Sequence, residues 1–127
     1  MSMEQITRDA HNALCDATGV WITLHRGDES VELIALPGAT TFEQESPGAE
    51  AIQFVSRDWI ALADRIVIGG VRVKPQRGDT ITETKQNGDV FTYEVLPDQE
   101  SSWKWSDKFG VAIRIFTRQI SKSGEGT

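Results

Sequence analysis

Short runs of alternating apolar and other residues, each closed by a turn signal, dominate the chain from residue 20 to residue 120. In residues 20–26, the apolar side chains Val20, Ile22 and Leu24 occupy every second position. A period of two is typical of strands with one buried face. Several such strands joined by short turns predict a mainly β, antiparallel fold.

Two dipeptides mark tight connections between these strands. Gly69-Gly70 separates two short apolar runs, and Asn87-Gly88 is the sequence that most favours a type I′ hairpin turn. Strands of this length and spacing usually close on themselves or pack in two layers. The chain is therefore predicted to form a small antiparallel β-barrel, SH3-like or sandwich-like.

An N-terminal helix is predicted over residues 3–18. Apolar residues recur there at three- and four-residue spacings, as expected of one helical stripe: Ile6, Ala10, Ala13, Leu14 and Ala17. The stripe is rich in alanine, and such a helix needs a partner surface to be stable. The rest of the domain and a neighbouring subunit both qualify as that partner.

Residues 37–50 interrupt the strand pattern. They contain two Pro-Gly pairs, which favour turns, and the acidic residues Glu43, Glu45 and Glu50. A long loop is predicted here, with room for a short strand at residues 40–43. A loop of this length is either functional or an ordinary flexible excursion.

The length of 127 residues suits one domain, predicted over residues 1–120. Residues 121–127 contain no apolar side chain and are predicted to form a flexible C-terminal tail. No apolar run approaches the ~20 residues that cross a bilayer, and the N-terminus lacks a secretory pattern. We therefore expect no membrane association.

The net charge of −6 is unevenly distributed. Residues 1–64 carry 11 acidic and 3 basic side chains, whereas residues 65–127 carry 8 acidic and 10 basic ones. An acidic chain is a poor non-specific DNA binder, because phosphate binding needs a cationic surface. The asymmetry allows an acidic face of one protomer to meet a basic face of another, but it is equally consistent with chance clustering.

Nucleophilic catalysis has one candidate pair. Cys15 lies four residues after His11 on the predicted helix, so the two side chains are neighbours on one face. No other part of a catalytic or phosphate-binding motif accompanies them, and the chain lacks a metal-ligand spacing. The sequence therefore predicts no enzyme, no cofactor and no metal site, with Cys15 buried and His11 solvated.

Three tryptophans are candidates for an interaction surface. Trp103 and Trp105 are two residues apart, so on a strand they share one face, and Lys104 and Lys108 flank them. Together with Trp59, they are predicted as subunit-interface aromatics, a position where tryptophan is enriched. The alternative is a platform that stacks the bases of single-stranded nucleic acid.

The order of motifs between residues 54 and 120 resembles that of phage head–tail joining proteins, the head-completion, stopper or head-closure family. The first motif is the turn Pro75-Gln76-Arg77-Gly78-Asp79-Thr80-Ile81, preceded by Ser56-Arg57-Asp58-Trp59. The Asn87-Gly88 hairpin follows, then the strand Phe91-Thr92-Tyr93-Glu94-Val95 and a closing strand that ends at Arg118. The N-terminal helix and Trp103-Lys104-Trp105 are not part of this pattern.

The resemblance implies a structural virion protein: a small barrel that forms a homo-oligomeric ring between portal and tail. Such a ring completes or closes the head and gives the tail an attachment platform. Its implied partners are other copies of itself, portal or adaptor proteins and tail proteins, while DNA passes through without sequence-specific binding. Its implied location is the head–tail junction of the virion, after synthesis in the bacterial host cytoplasm.

The resemblance also assigns roles to particular residues. Pro75, Gly78, Asp79 and Ile81 would set a structural turn, and the loop with Glu43, Glu45 and Glu50 would reach the channel or a neighbouring subunit. Negative charge there would repel DNA phosphate. Two alternatives stay open: a tail terminator or other tail-junction ring, and a single-stranded nucleic-acid-binding β-barrel.

Overall fold

A computed structural model describes residues 2–44, 52–97 and 102–123 of the chain. Within these residues one helix precedes nine strands, and a short 3-10 helix follows the third strand. The elements are α1 (Met3–Thr18), β1 (Val20–Arg26), β2 (Glu29–Gln44), β3 (Ile52–Leu62), the 3-10 helix (Ala63–Arg65), β4 (Val67–Ile68), β5 (Val71–Arg72), β6 (Thr80–Thr84), β7 (Val90–Val95), β8 (Trp103–Trp105) and β9 (Ala112–Ser123). The prediction of a mainly β chain with an N-terminal helix over residues 3–18 is confirmed.

Six antiparallel strands close into a barrel in the order β3-β2-β1-β6-β7-β9, and pairing between β3 and β9 completes the circle. Strands β7 and β8 pair with the same edge of β9, one after the other. Strand β7 pairs with β9 from Thr117 onward, and β8 pairs with residues 113–115, where Ile115 lies opposite Trp103. Strands β4 and β5 form a separate two-stranded hairpin at Gly69-Gly70, as predicted. The predicted small antiparallel β-barrel is confirmed.

The barrel core is built from the alternating positions of the strands. Trp59 is fully buried there, and its ring packs edge-on against Tyr93 with 5.4 Å between centroids. The surrounding buried residues are mostly aliphatic: Ile22, Leu24, Leu33, Ala35, Ala61, Ile66, Ile81, Val95, Ile113 and Ile115. Every second residue of β1 faces this core, which is the pattern that the period of two predicts.

The predicted long loop at residues 37–50 is a strand over its first eight residues, so the prediction is wrong there except for the short strand that it allowed at residues 40–43. Strand β2 continues to Gln44 and pairs with β3 from Leu36↔Ile60 to Gln44↔Ile52. Pro37 is tolerated because β2 pairs with β1 only up to Ala35 and has a single partner, β3, beyond it. Glu43 therefore lies in a strand, with its backbone opposite Gln53, while Glu45 and Glu50 lie outside the described residues.

The far part of this hairpin extends past the point where the barrel closes. The last pair between β3 and β9 is Arg57↔Thr117, whereas β3 begins at Ile52. Residues 52–56 therefore pair with β2 alone among the described strands. We call this two-stranded segment, residues 40–44 and 52–56, the arm.

The turn between β6 and β7 is a hairpin, as predicted, but of a different type. A type I′ turn needs positive φ at both central residues. In the structure Gly88 has φ +93°, whereas no described non-glycine residue has a positive φ. The Gly88 N–H donates to the Lys85 carbonyl at 3.0 Å, and the Lys85 N–H donates to the Asp89 carbonyl at 2.8 Å. In this longer connection Asn87 has a negative φ, so the turn is not type I′.

The C-terminal prediction also needs correction. Strand β9 continues to Ser123, and residues 121–123 pair with Thr92, Phe91 and Val90 of β7, so this part of the predicted tail is a strand. Backbone pairing needs no apolar side chain, which explains why composition alone missed it. Residues 124–127 lie outside the described part of the chain. Among the described helices, none has the length and apolarity needed to span a membrane.

Candidate functional site

The turn between β5 and β6 contains the residues singled out by the family pattern. Gly78 has φ +95°, a conformation that favours glycine, and the Asp79 N–H donates to the Gln76 carbonyl at 3.1 Å. The Asp79 carboxylate accepts the Gln76 N–H at 2.9 Å in return. Pro75 is buried, and Ile81 enters the core.

Arg26, the last residue of β1, holds this turn in place, and the sequence analysis did not identify it. Its guanidinium donates to both Asp79 oxygens, from Nε at 2.9 Å and from Nη2 at 2.7 Å. The same Nη2 donates to the Lys74 carbonyl at 2.7 Å. The hydrogen bond to Asp79 raises the pKa of Arg26, against an opposing effect of burial. This network joins the end of β1 to the entrance of β6.

Trp103 and Trp105 lie on one face of β8, as predicted, with their rings edge-on at 5.4 Å. The cation beside them is Lys74, whose Nζ lies 5.7 Å from the Trp103 ring and 5.3 Å from the Trp105 ring. The predicted flanking lysines are elsewhere: Lys104 contacts the Phe116 ring and Lys108 contacts the Phe109 ring. The cation therefore comes from the connection between β5 and β6, and not from β8, which carries the tryptophans.

Asp107 holds the connection from β8 to β9. Its carboxylate accepts backbone N–H groups of Phe109 at 2.8 Å, Val111 at 3.0 Å and Ala112 at 2.7 Å. Burial alone raises the pKa of Asp107, but these backbone donors outweigh it and the pKa is lowered overall. The turn therefore fixes β8, and with it the two tryptophans, against β9.

Trp59 is not an interface residue, contrary to the prediction. Its exposed fraction is 0%, because it fills the centre of the barrel. A side chain enclosed by its own chain has no surface to offer a partner. Trp103 is half-buried against the core, and Trp105 is 43% exposed, so Trp105 is the tryptophan of the predicted set most open to solvent.

A buried polar cluster lies where β3 meets β9. The carboxylate of Asp58, which is fully buried, accepts hydrogen bonds from the hydroxyls of Ser56 and Thr40. Arg114 lies 3.5 Å from it, and the Thr117 hydroxyl donates to the Arg57 carbonyl at 2.6 Å. A buried charge needs such partners. The Ser56-Arg57-Asp58 stretch of the family pattern therefore has a structural role at the closure of the barrel.

The His11–Cys15 pair is in contact, as their spacing predicts, with 3.3 Å between Nε2 and Sγ. Both side chains are buried, so the prediction of a solvated His11 is wrong. Burial, and then the charge of Asp16, raises the pKa of the Cys15 thiol. A nucleophilic cysteine needs a lowered pKa, so this geometry favours packing over catalysis. The described residues contain no cluster of metal-ligating side chains.

Helix α1 packs on the barrel with one face, and its apolar stripe lies on a different face. His11 and Cys15 are its buried residues, and Arg8 forms an ion pair with Asp64 at 2.8 Å. The stripe faces solvent instead: Ile6 is 44% exposed and Leu14 54%. Met3, three residues before Ile6, extends the stripe and is 54% exposed. Periodicity predicted this stripe, but it did not reveal that the stripe faces solvent while another face of the helix packs on the barrel.

A family model described as phage head-tail joining protein matches residues 1–124. The matched range includes α1 and β8, which lie outside the motifs of the family pattern. No curated protein matches the chain.

Proposed function

The chain belongs to the phage head-tail joining protein family, and from that premise we propose that it forms a homo-oligomeric ring between portal and tail. The ring completes or closes the head and gives the tail an attachment platform. Family membership implies a structural, non-enzymatic protein that contacts head and tail proteins at the head–tail junction of the virion. The protein is made in the host cytoplasm, and DNA passes through its ring without sequence-specific binding.

Besides the family match, the arm is the structural feature that supports the proposal of a ring. Residues 52–56 of β3 have one strand partner, so their other edge presents unpaired backbone groups among the described residues. Strand edges of this kind are usually covered by another segment. In a ring, a neighbouring subunit or the wall of the channel provides that cover.

The arm also leads to the acidic residues assigned to the channel. Glu43 lies near the end of β2, and Glu45 and Glu50 follow in the sequence between the two strands. Carboxylates facing the channel repel DNA phosphates, which lets DNA pass without being held. The arm thus suits a channel lining better than a DNA-binding surface.

The test is the mass and shape of the purified full chain. It is measured by native mass spectrometry and negative-stain imaging, alone, with portal and adaptor proteins, and with tail proteins of the same phage. We expect closed rings on the portal side. Rings that form only on tail-tube ends support the tail-terminator alternative. A strict monomer that joins neither set of partners overturns the proposal.

The nucleic-acid alternative has its own measurement. Single-stranded oligonucleotides at low salt quench tryptophan fluorescence when bases stack on exposed rings. We expect no quenching, because Trp103 is half-buried and a chain of net charge −6 binds phosphates poorly. Trp21, an exposed tryptophan of β1, provides the matched control. Quenching that disappears in Trp105→Phe but persists in Trp21→Phe supports the alternative.

A further inference from the structure

The exposed stripe of α1 carries acidic residues along one margin. Asp9 lies three residues after Ile6, and Asp16 lies three residues after Ala13, so each is a neighbour of the stripe on the helix surface. Neither Asp9 nor Asp16 forms an ion pair with a described residue. The stripe is therefore an apolar surface with free negative charge at its edge.

A surface of the opposite character lies around Lys74. Arg72, Lys74 and Arg77 are exposed, and none of the three forms an ion pair within the described part of the chain. Lys74 contacts the two tryptophans of β8, of which Trp105 is well exposed. We call these residues, Arg72, Lys74, Arg77, Trp103 and Trp105, the lysine–tryptophan face.

The two surfaces belong to different parts of the fold. Helix α1 packs on β2, and its His11 shares a cleft of about 360 Å³ with Leu33 and Leu62. The lysine–tryptophan face lies at β8 and at the turn before β6, where Arg26 holds the Lys74 carbonyl. Contacts between unlike surfaces of identical chains are heterologous, and they close into rings when the rotation allows.

We propose that α1 of one copy docks on the lysine–tryptophan face of the next copy. The stripe of Met3, Ile6 and Leu14 packs against Trp105, and Asp9 and Asp16 pair with the basic residues around Lys74. This interface rests on the proposed ring and identifies the surfaces that join its subunits. The stripe is exposed in the single chain because, in the proposed ring, the next copy covers it. Charge complementarity fixes the orientation of the docked helix.

Disulfide trapping tests the contact at any affinity. In the Cys15→Ser background, which leaves no native thiol, the Asp9→Cys chain is mixed with the Lys74→Cys chain under mild oxidation. We expect this mixture to crosslink at least about tenfold faster than Asp9→Cys with Lys122→Cys, because a docked contact raises the effective concentration of the two thiols. Lys122 is an exposed lysine at the far end of β9 and serves as the matched control.

Charge exchange gives an independent readout. Asp9→Lys and Lys74→Glu should each weaken self-association about tenfold or more, and a mixture of the two chains should recover it through the restored opposite charges. Glu32→Lys, an acid-to-lysine change on exposed β2 surface, should leave association unchanged. Equal crosslinking of Lys74→Cys and Lys122→Cys, or no recovery in the mixture, overturns this interface. If rings still form on portals in that case, the proposed function stands and only the interface fails.

Discussion

Arg26 and Asp79, 53 positions apart, form a two-point ion pair that ties the end of β1 to the turn before β6. The Asp79 side chain is 1% exposed, so the carboxylate depends on this partner and on the Gln76 N–H for its hydrogen bonds. The pair also positions Lys74, because Arg26 donates to its carbonyl. One buried carboxylate thus organises both the turn and the neighbouring basic surface.

Asp79→Ala should therefore lower the free energy of unfolding by about 3 kcal/mol, since it leaves a partly buried guanidinium without its charged acceptor. Urea unfolding followed by circular dichroism measures the change. Asp28→Ala is the matched control, because Asp28 is exposed in the turn between β1 and β2 and should shift stability by less than about 0.5 kcal/mol. Equal effects of the two substitutions would show that the ion pair contributes nothing.

Gly78 provides a test of backbone conformation alone. Its φ is +95°, and a Cβ added there meets nothing within 4 Å, so Gly78→Ala introduces strain without a steric clash. We expect a loss of about 1–2 kcal/mol. Gly78→Asn should cost less, because asparagine tolerates positive φ better than alanine. Thermal unfolding of the two variants measures the difference, and an alanine variant as stable as the parent chain would contradict the argument.

Trp59 and Trp105 should respond in opposite ways to truncation. Trp59 fills the core, so Trp59→Ala should cost about 3–5 kcal/mol of stability through the cavity it leaves. Trp105 is exposed at the proposed interface, so Trp105→Ala should change monomer stability by about 1 kcal/mol or less while weakening association. Urea unfolding and sedimentation velocity separate these effects. A stable Trp59→Ala barrel would contradict the assignment of Trp59 to the core.

Local features of the fold were predictable from sequence because their causes are local. The alternation of Val20, Ile22 and Leu24 reports a buried strand face, and Gly69-Gly70 reports a tight turn, without any knowledge of distant residues. The helix was predictable for the same reason. Which side of that helix packs was not, because periodicity reveals a stripe but not the surface that covers it.

The errors arise where distant contacts override local preference. Pro37-Gly38 signals a turn, yet pairing with Trp59 and Asp58 keeps both residues in a strand. Tertiary pairing commonly outweighs such local signals. The Arg26–Asp79 pair and the closure of β3 on β9 likewise join residues far apart in sequence, and neither leaves a local pattern. The local sequence around Arg26 does not indicate that its side chain reaches Asp79.

The buried His11 gives the protein a defined response to acid. Burial, and then the charge of Arg8, lowers the pKa of His11 below its ordinary 6.5 in the folded chain. The unfolded chain therefore binds this proton at a higher pH than the folded chain does. Stability should be unaffected by His11 well above pH 6.5 and should fall as the pH drops through 6.5 towards the folded-state pKa.

His11→Gln should flatten this slope, which for one proton is at most about 1.4 kcal/mol per pH unit. Urea unfolding at a series of pH values between about 5 and 8 measures it, within the range where one histidine changes its charge. Asn12→Gln, a non-titrating change at the next position of the same helix, should keep the slope of the parent chain. If the slope survives in His11→Gln, another group binds the proton, and the buried contact between His11 and Cys15 does not control the acid response.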